Sequence, residues 1–246
     1  MNRVAARTSS DWIAAANADI AVRPGAIEGL LEAGSRDAGA GVIAPRLVIP
    51  DGSTQHSVFA FPTIPYSILL AIGAYHLSSA LGDRFAIPGH WNAERARRVP
   101  WAVGAFLLVR RVAWNQVGGF DERQWMYAED LDLGWRLHEA GWATRYEPSA
   151  KVDHEGAAAT GQVFGWDPSP DSQRAAYGFI ARRWGVGHAW AVALLNFTGA
   201  VLRLALASAR SIGEPERYAQ RRRDYARWAL VQLRALRRRA TLERFS

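Results

Sequence analysis

Cysteine is absent from the 246 residues. That excludes a disulfide framework, a thiolate nucleophile and any Cys-ligated metal, and it leaves a reducing compartment permitted without requiring one. Internal repeats and low-complexity tracts are also missing, so solenoid and compositionally disordered classes are excluded. The opening residues, MNRVAARTSSDWIAAANADI, contain no uninterrupted apolar run, because Thr8, Ser9, Ser10 and Asp11 break it, and no signal peptide is read there. Most of the chain lacks a charge excess of either sign: residues 1–202 carry 18 basic and 19 acidic groups. The formal excess of +7 therefore sits wholly in residues 203–246, which carry 12 Arg against 4 acidic groups.

With 49% hydrophobic residues, the chain is rich and long enough for one domain with a real core, plus an appendage. DWIAAANADIAV (11–22) reads as a buried strand, and RPGAIEGLLEAG (23–34) as a helix with Pro24 near its first turn and Gly34 as its stop. AGVIAPRLVIPDGS (40–53) is a second apolar strand ending in an Asp-Gly turn. Strand, helix, strand in short order predicts an α/β layer architecture. Residues 54–98 are read as irregular, with Pro62, Pro65 and Pro88 among aromatics. VPWAVGAFLLVRRVAW (99–114) and GWATRYEPSAKVDHEG (141–156) recover strand character, and the chain is helical from about 170 onward.

Polar groups at element ends stand out: Asn17 and Asp19 in NAD, Glu129 and Asp130 with Asp132 at the mouth of a helix, and His154 after the last strand. Open α/β sheets bind ligands at the ends of parallel strands. One carboxylate there can hold a divalent cation that bridges two phosphates, a second can take a proton from an attacking hydroxyl, and an imidazole can complete the metal shell. Each group also has a plain structural reading. NAD can be an Asx-type turn, the acidic triplet can cap a helix and favour its dipole, and His154 can be a hydrogen-bonded core histidine.

The blocks NADIAVRPGAIEGLLEAG, GVIAPRLVIPDGS, VPWAVGAFLLVRRVAWNQVGGFDERQWMYAEDLDLGWRLHEAGW and YEPSAKVDHEG resemble the successive motifs of family 2 glycosyltransferases with the GT-A fold, particularly the rhamnosyltransferase-like branch. The resemblance runs over about residues 3–156. It implies an α/β GT-A (nucleotide-diphospho-sugar transferase) fold, N-terminally truncated because the family's opening nucleotide-binding βαβ portion has no counterpart, with a C-terminal helical appendage. It implies inverting transfer of a sugar such as rhamnose from a nucleotide-diphosphate donor to a cell-envelope glycan or lipid-linked acceptor, with Mg2+ or Mn2+. By the same resemblance Asp130 matches the general base, and Asp19 and His154 match metal-holding positions. Asn17 stands in place of the first acid of the DxD-like turn, while Trp101, Gly104 and Glu129 fall at substrate-lining positions. The aromatics Trp125, Tyr127 and Trp135 are expected to wall the pocket while the three carboxylates face the sugar.

The expected domains are 1–165, GT-A-like, and 170–246, helical and basic. HAWAVALLNFTGAVLRLALASA (188–209) is interrupted by Asn196, Thr198, Gly199 and Arg203, which suits a membrane interface or a packed partner better than a span. Beside it, ERYAQRRRDYARWALVQLRALRRR (216–239) mixes aromatics with arginines. Anionic lipid headgroups are the expected partner, nucleic acid is not, and the expected location is the inner face of the cell membrane, reached from the cytoplasm. The contrasting reading is a non-catalytic remnant or split-enzyme partner without donor binding.

Overall fold

The computed structural model describes residues 1–123, 127–155, 170–212 and 215–237. These fall into two compact units: residues 1–61, 79–123 and 129–155 form one, and residues 62–78, 127–128, 170–212 and 215–237 the other. The expected boundary near 165–170 and the pocket role of Trp125 lie outside the described residues.

The first unit opens with a single helical turn, α1 (Asn2–Ala5), followed by β1 (Trp12–Ala16) and β2 (Ile20–Val22). The expected single buried strand over 11–22 is thus two strands, and their side chains are only alternately or partly buried. The break has a local cause: Asn and Asp favour turns, and the Asn17 N–H donates to Ala105 O at 3.0 Å while Asp19 O accepts from Glu155 N–H at 2.9 Å. Helix α2 (Ala26–Arg36) then runs through Gly34 instead of stopping there. A Cβ on Gly34 would lie 2.4 Å from the Trp12 ring, so this glycine marks a close approach between helix and strand.

Next come β3 (Ala40–Val48), β4 (Val58–Phe59), α3 (Ile64–Ile72, in the second unit) and α4 (Ser79–Arg84). After these follow β5 (Arg97–Val99), β6 (Trp101–Ala102), β7 (Phe106–Arg110), α5 (Arg111–Val117), α6 (Glu129–Glu139) and β8 (Ala143–His154). The stretch 54–98, read as irregular, therefore contains helices, and the strand read over 99–114 gives way to α5 at Arg111. The main sheet has the order β1-β7-β3-β8-β2, with β5 also on β8. Among the described residues only the β3–β8 pairing is parallel; the other pairings are antiparallel, so the α/β sheet is mixed. β3 is buried along almost its whole length, as a central strand covered on both faces must be. Tyr146, Leu30, Ile43, Leu47, Leu133 and Leu137 are the large, fully buried side chains that join sheet to helices.

The second unit is helical: α3, α7 (Pro170–Trp184), α8 (Val186–Arg210) and α9 (Pro215–Arg237). Asn196, Gly199 and Arg203, which interrupt the apolar α8, face its neighbours, while Thr198 is exposed. Asn196 donates to Tyr177 Oη at 3.2 Å, and the Tyr177 hydroxyl donates in turn to Gln232 Oε1. A Cβ on Gly199 would lie 2.8 Å from Ala71 Cα, so α3 and α8 touch backbone to backbone there. Arg203 donates to the carbonyl of Leu70, at the end of α3 where the helix dipole is negative, and to Gly199 O at 2.9 Å. A stripe at four-residue spacing on α8 remains exposed: Val186, Trp190, Leu194, Leu202 and Leu206. α8 is long and apolar enough to cross a membrane by length and composition, the one such helix among the described residues.

Candidate active site

The predicted site residues arrive in the first unit as two pairs. Ile20 of β2 lies opposite His154 of β8 in the antiparallel register, which sets Asp19, just before β2, beside the histidine. Asp19 Oδ1 stands 3.5 Å from His154 Nε2. His154 is only 7% exposed; its Nδ1 lies 2.6 Å from Gln55 Oε1, and Nε2 is buried without a hydrogen-bond partner among the described residues.

The second pair joins α6 to the turn before β7. Asp130 Oδ2 accepts from the Gly104 N–H at 2.9 Å, and Oδ1 accepts from the Leu131 N–H at 2.8 Å. Desolvation pushes the Asp130 carboxyl up to about 6, with the neighbouring Glu129 charge adding to the rise and the Gly104 N–H opposing it. Burial is thus the largest influence on this acid, which stays mostly ionised at neutral pH. Glu129 is half-buried, and its Oε2 has no hydrogen-bond partner among the described residues. Immediately before it, Tyr127 (φ 61°) and Ala128 (φ 62°) both hold the left-handed backbone that non-glycine residues avoid. Such strain clusters where a site over-determines the chain.

The remaining residues separate into contributors and supports. Gly104 acts through its backbone: its N–H holds Asp130, and a Cβ there would meet Asp130 Cβ at 3.4 Å. Asn17 has an exposed side chain, and its backbone bond to Ala105 ties the Asp19 turn to the residue beside Gly104. Trp101 spends its indole N–H on Ala60 O at 3.1 Å and stacks on Phe59 with ring centroids 5.0 Å apart, so ring surface is what it can offer a ligand. It also braces α6, because a Cβ on Gly134 would fall 2.6 Å from Trp101 Cβ. Gly134→Ala is expected to cost about 1–3 kcal/mol by overpacking, read as a lower urea midpoint with an unchanged m-value.

One carboxylate does not face the site. Asp132 is 2% exposed and paired with Arg136 at 2.7 Å, which itself donates to Val117 O at 2.7 Å. A charge so buried is retained only with such partners, so Asp132 anchors α6 to the end of α5. Trp135 packs edge-on to Phe61, with ring centroids 4.8 Å apart. Gln55 is the residue that sequence reasoning missed: it follows an Asp-Gly turn, where nothing in its neighbours distinguishes it from any loop glutamine.

The residues suit a divalent cation of the Mg2+ or Mn2+ type without forming a complete cage. One carboxylate, a hard oxygen donor, stands 3.5 Å from one imidazole nitrogen, a borderline donor, and such ions are commonly held by one or two carboxylates with substrate phosphates and water completing the shell. Among the described residues no group of three or more His, Asp or Glu side chains could hold a metal alone.

Taken with its C-terminal helices, the mixed sheet is the α/β architecture of a GT-A-like transferase. The family model "Glycosyl transferase family group 2" matches residues 74–241, and the chain belongs to that family. It is 40% identical over 180 residues to the N-acetylglucosaminyl-diphospho-decaprenol L-rhamnosyltransferase of Mycobacterium tuberculosis, covering 70% of this chain and 56% of that protein. It is 34% identical over 152 residues to the pre-mycofactocin glycosyltransferase of the same organism, covering 61% of this chain and 28% of that protein. The chain thus spans about half the length, or less, of these curated relatives. A GalNAc-T7 crystal structure with UDP, GalNAc and Mn2+ aligns with 90% of this chain and 40% of its own, at a TM-score of 0.48 and 12% identity.

Proposed function

We propose that this chain carries the acceptor and diphosphate side of an inverting glycosyltransferase, with Asp130 as general base. The sugar is L-rhamnose, and the acceptor is a lipid-linked glycan of the N-acetylglucosaminyl-diphospho-polyprenol type that the mycobacterial relative's name describes. The observation that carries this reading is the Asp130 carboxylate, oriented by two backbone N–H groups and tuned by burial to about 6. A base with that value is ionised at neutral pH yet basic enough to accept a proton as the acceptor oxygen attacks.

In the reaction, the acceptor hydroxyl oxygen bonds to the anomeric carbon. The bond from that carbon to the donor diphosphate breaks, its electron pair leaves with the nucleoside diphosphate, and the hydroxyl proton passes to Asp130. Two fixed N–H donors keep the carboxylate from rotating away, so its orientation is set before the acceptor binds. Asp19 and His154 would hold the divalent cation, which when bound neutralises charge on the departing diphosphate. Asn17 and Glu129, neighbours of Asp19 and Asp130 in sequence, are proposed to contact substrate, and Trp101 offers an aromatic face on which a sugar ring can rest.

Calorimetric titration with nucleoside diphosphates tests the reading directly: metal-dependent binding supports a donor site in this chain, and its absence from folded protein removes it. The pH dependence is a second test. Below about 6 Asp130 gains a proton and cannot accept another, so kcat/KM falls about tenfold per pH unit on the acid side and levels off above it. A flat profile between pH 5 and 8 would exclude Asp130 as the base.

The proposed partner of the helical unit is an anionic membrane surface on the cytoplasmic side. The exposed stripe of Trp190, Leu194, Leu202 and Leu206 supports insertion at the headgroup boundary, and the exposed Arg217, Arg221, Arg222 and Arg223 of α9 support attraction to anionic lipid. Co-sedimentation with phosphatidylglycerol vesicles is expected to be strong. Trp190→Glu with Leu194→Glu should abolish it, and equal sedimentation of that variant would overturn the assignment.

A further inference from the structure

The structure places Gln55 behind His154, 99 residues away in sequence, with Gln55 Oε1 2.6 Å from His154 Nδ1. An amide oxygen can only accept, so at this distance Nδ1 must carry the proton and donate it. The neutral ring then has its lone pair on Nε2, the atom that lies 3.5 Å from Asp19 Oδ1. Nε2 has no hydrogen-bond partner among the described residues and is shielded from solvent, a costly arrangement for a buried polar atom unless it serves a ligand.

We infer that Gln55 is a positioning residue that fixes the tautomer and ring orientation of His154, so that Nε2 and the Asp19 carboxylate point together at one divalent cation. The inference rests on the proposed metal role of that pair. Gln55 is well placed to do this without touching substrate. Its own N–H donates to Leu47 O at 2.9 Å, which ties it to β3 beside β8. Two residues on, Ser57 O accepts from the Val103 N–H at 2.8 Å, and Val58 and Phe59 pair with Ala102 and Trp101. One short segment therefore supports the histidine at one end and braces the Gly104 turn at the other.

The test uses the full chain and two variants, Gln55→Leu, which removes the acceptor, and Gln55→Glu, which keeps one. Nitrogen-15 NMR of the imidazole groups reads the His154 tautomer without metal, and Mn2+ titration followed by electron paramagnetic resonance reads affinity without turnover. The expected result is an Nδ1–H tautomer in the parent and in Gln55→Glu, lost in Gln55→Leu. Mn2+ affinity should fall about 10–100-fold in Gln55→Leu, the usual cost of losing a group that orients a metal-bound histidine, and should hold within about threefold in Gln55→Glu. An Nε2–H tautomer in the parent, or parent-like tautomer and Mn2+ affinity in a folded Gln55→Leu, would overturn the inference. If the parent shows the Nδ1–H tautomer, Gln55→Leu loses it, and neither takes up Mn2+, the hold of Gln55 on His154 stands and the metal role of the pair fails.

Discussion

Asp130→Asn is expected to lower the turnover number by about 10²–10⁴-fold, the range that a positioned general base supplies, while leaving the chain folded. The amide has nearly the shape of the carboxylate, and its single oxygen can still accept from one of the two backbone N–H groups that orient Asp130. What it cannot do is accept the hydroxyl proton. The substitution also removes an ion that burial disfavours. The folded-state value of about 6 lies above the ordinary 3.8, so the folded protein binds this proton more tightly than the unfolded chain does. Stability contributed by the protonated form is fully present below about 4 and is lost as pH rises through 6. At pH 7.5 the asparagine variant escapes that loss, which offsets the one hydrogen bond it gives up. Its melting temperature should therefore stay within a few degrees of the parent's, about 1 kcal/mol in a chain of this size. Steady-state kinetics beside a melting curve separate the outcomes: full turnover in a folded variant would remove Asp130 from the chemistry.

Asp19→Ala is expected to abolish the Mn2+ dependence of nucleoside diphosphate binding. Among the described residues this carboxylate is the one charged oxygen paired with His154 Nε2, and a metal held by so few protein groups cannot absorb the loss of one. The fall in Mn2+ affinity should exceed the roughly hundredfold upper end seen for groups that act one step further from a metal. Folding should be little affected, because Asp19 is half-exposed and its turn is held by backbone hydrogen bonds that alanine keeps. His154→Ala should give a comparable loss of metal dependence but a larger stability cost, since its ring is buried against β2 and Gln55. An unchanged Mn2+ titration in Asp19→Ala would remove the metal role of the pair and leave the base assignment of Asp130 untouched.

Several errors of the sequence reading share one cause. An apolar strand was legible in residues 11–22, but whether a tripeptide such as Asn17–Asp19 ends one strand or joins two depends on which strands wait on either side, here β7 and β8. Gly34 looks like a helix stop because glycine often is one, yet its reason for being glycine is the Trp12 ring from another element. Three carboxylates at the start of α6 look equivalent in a linear chain. Burial and the Arg136 guanidinium turn Asp132 into an anchor, while desolvation raises Asp130 and the Gly104 amide holds its orientation.

The sequence by itself determined the family, the α/β class, the helical nature of the C-terminal third and the identities of Asp19, Gly104, Asp130 and His154 as residues to watch. It could do so because motif order, hydrophobic periodicity and charge distribution are properties of neighbours along the chain. Only the tertiary structure decided which of those residues meet. Asp19 and His154 are joined by an antiparallel register 135 residues apart in sequence, and Gly104 reaches Asp130 through the packing of α6 under β6. It alone brought Gln55 behind the histidine and set Asn196 and Arg203 of α8 against its neighbouring helices. Pairings of that kind are set by which buried surfaces fit together, and no local pattern encodes them.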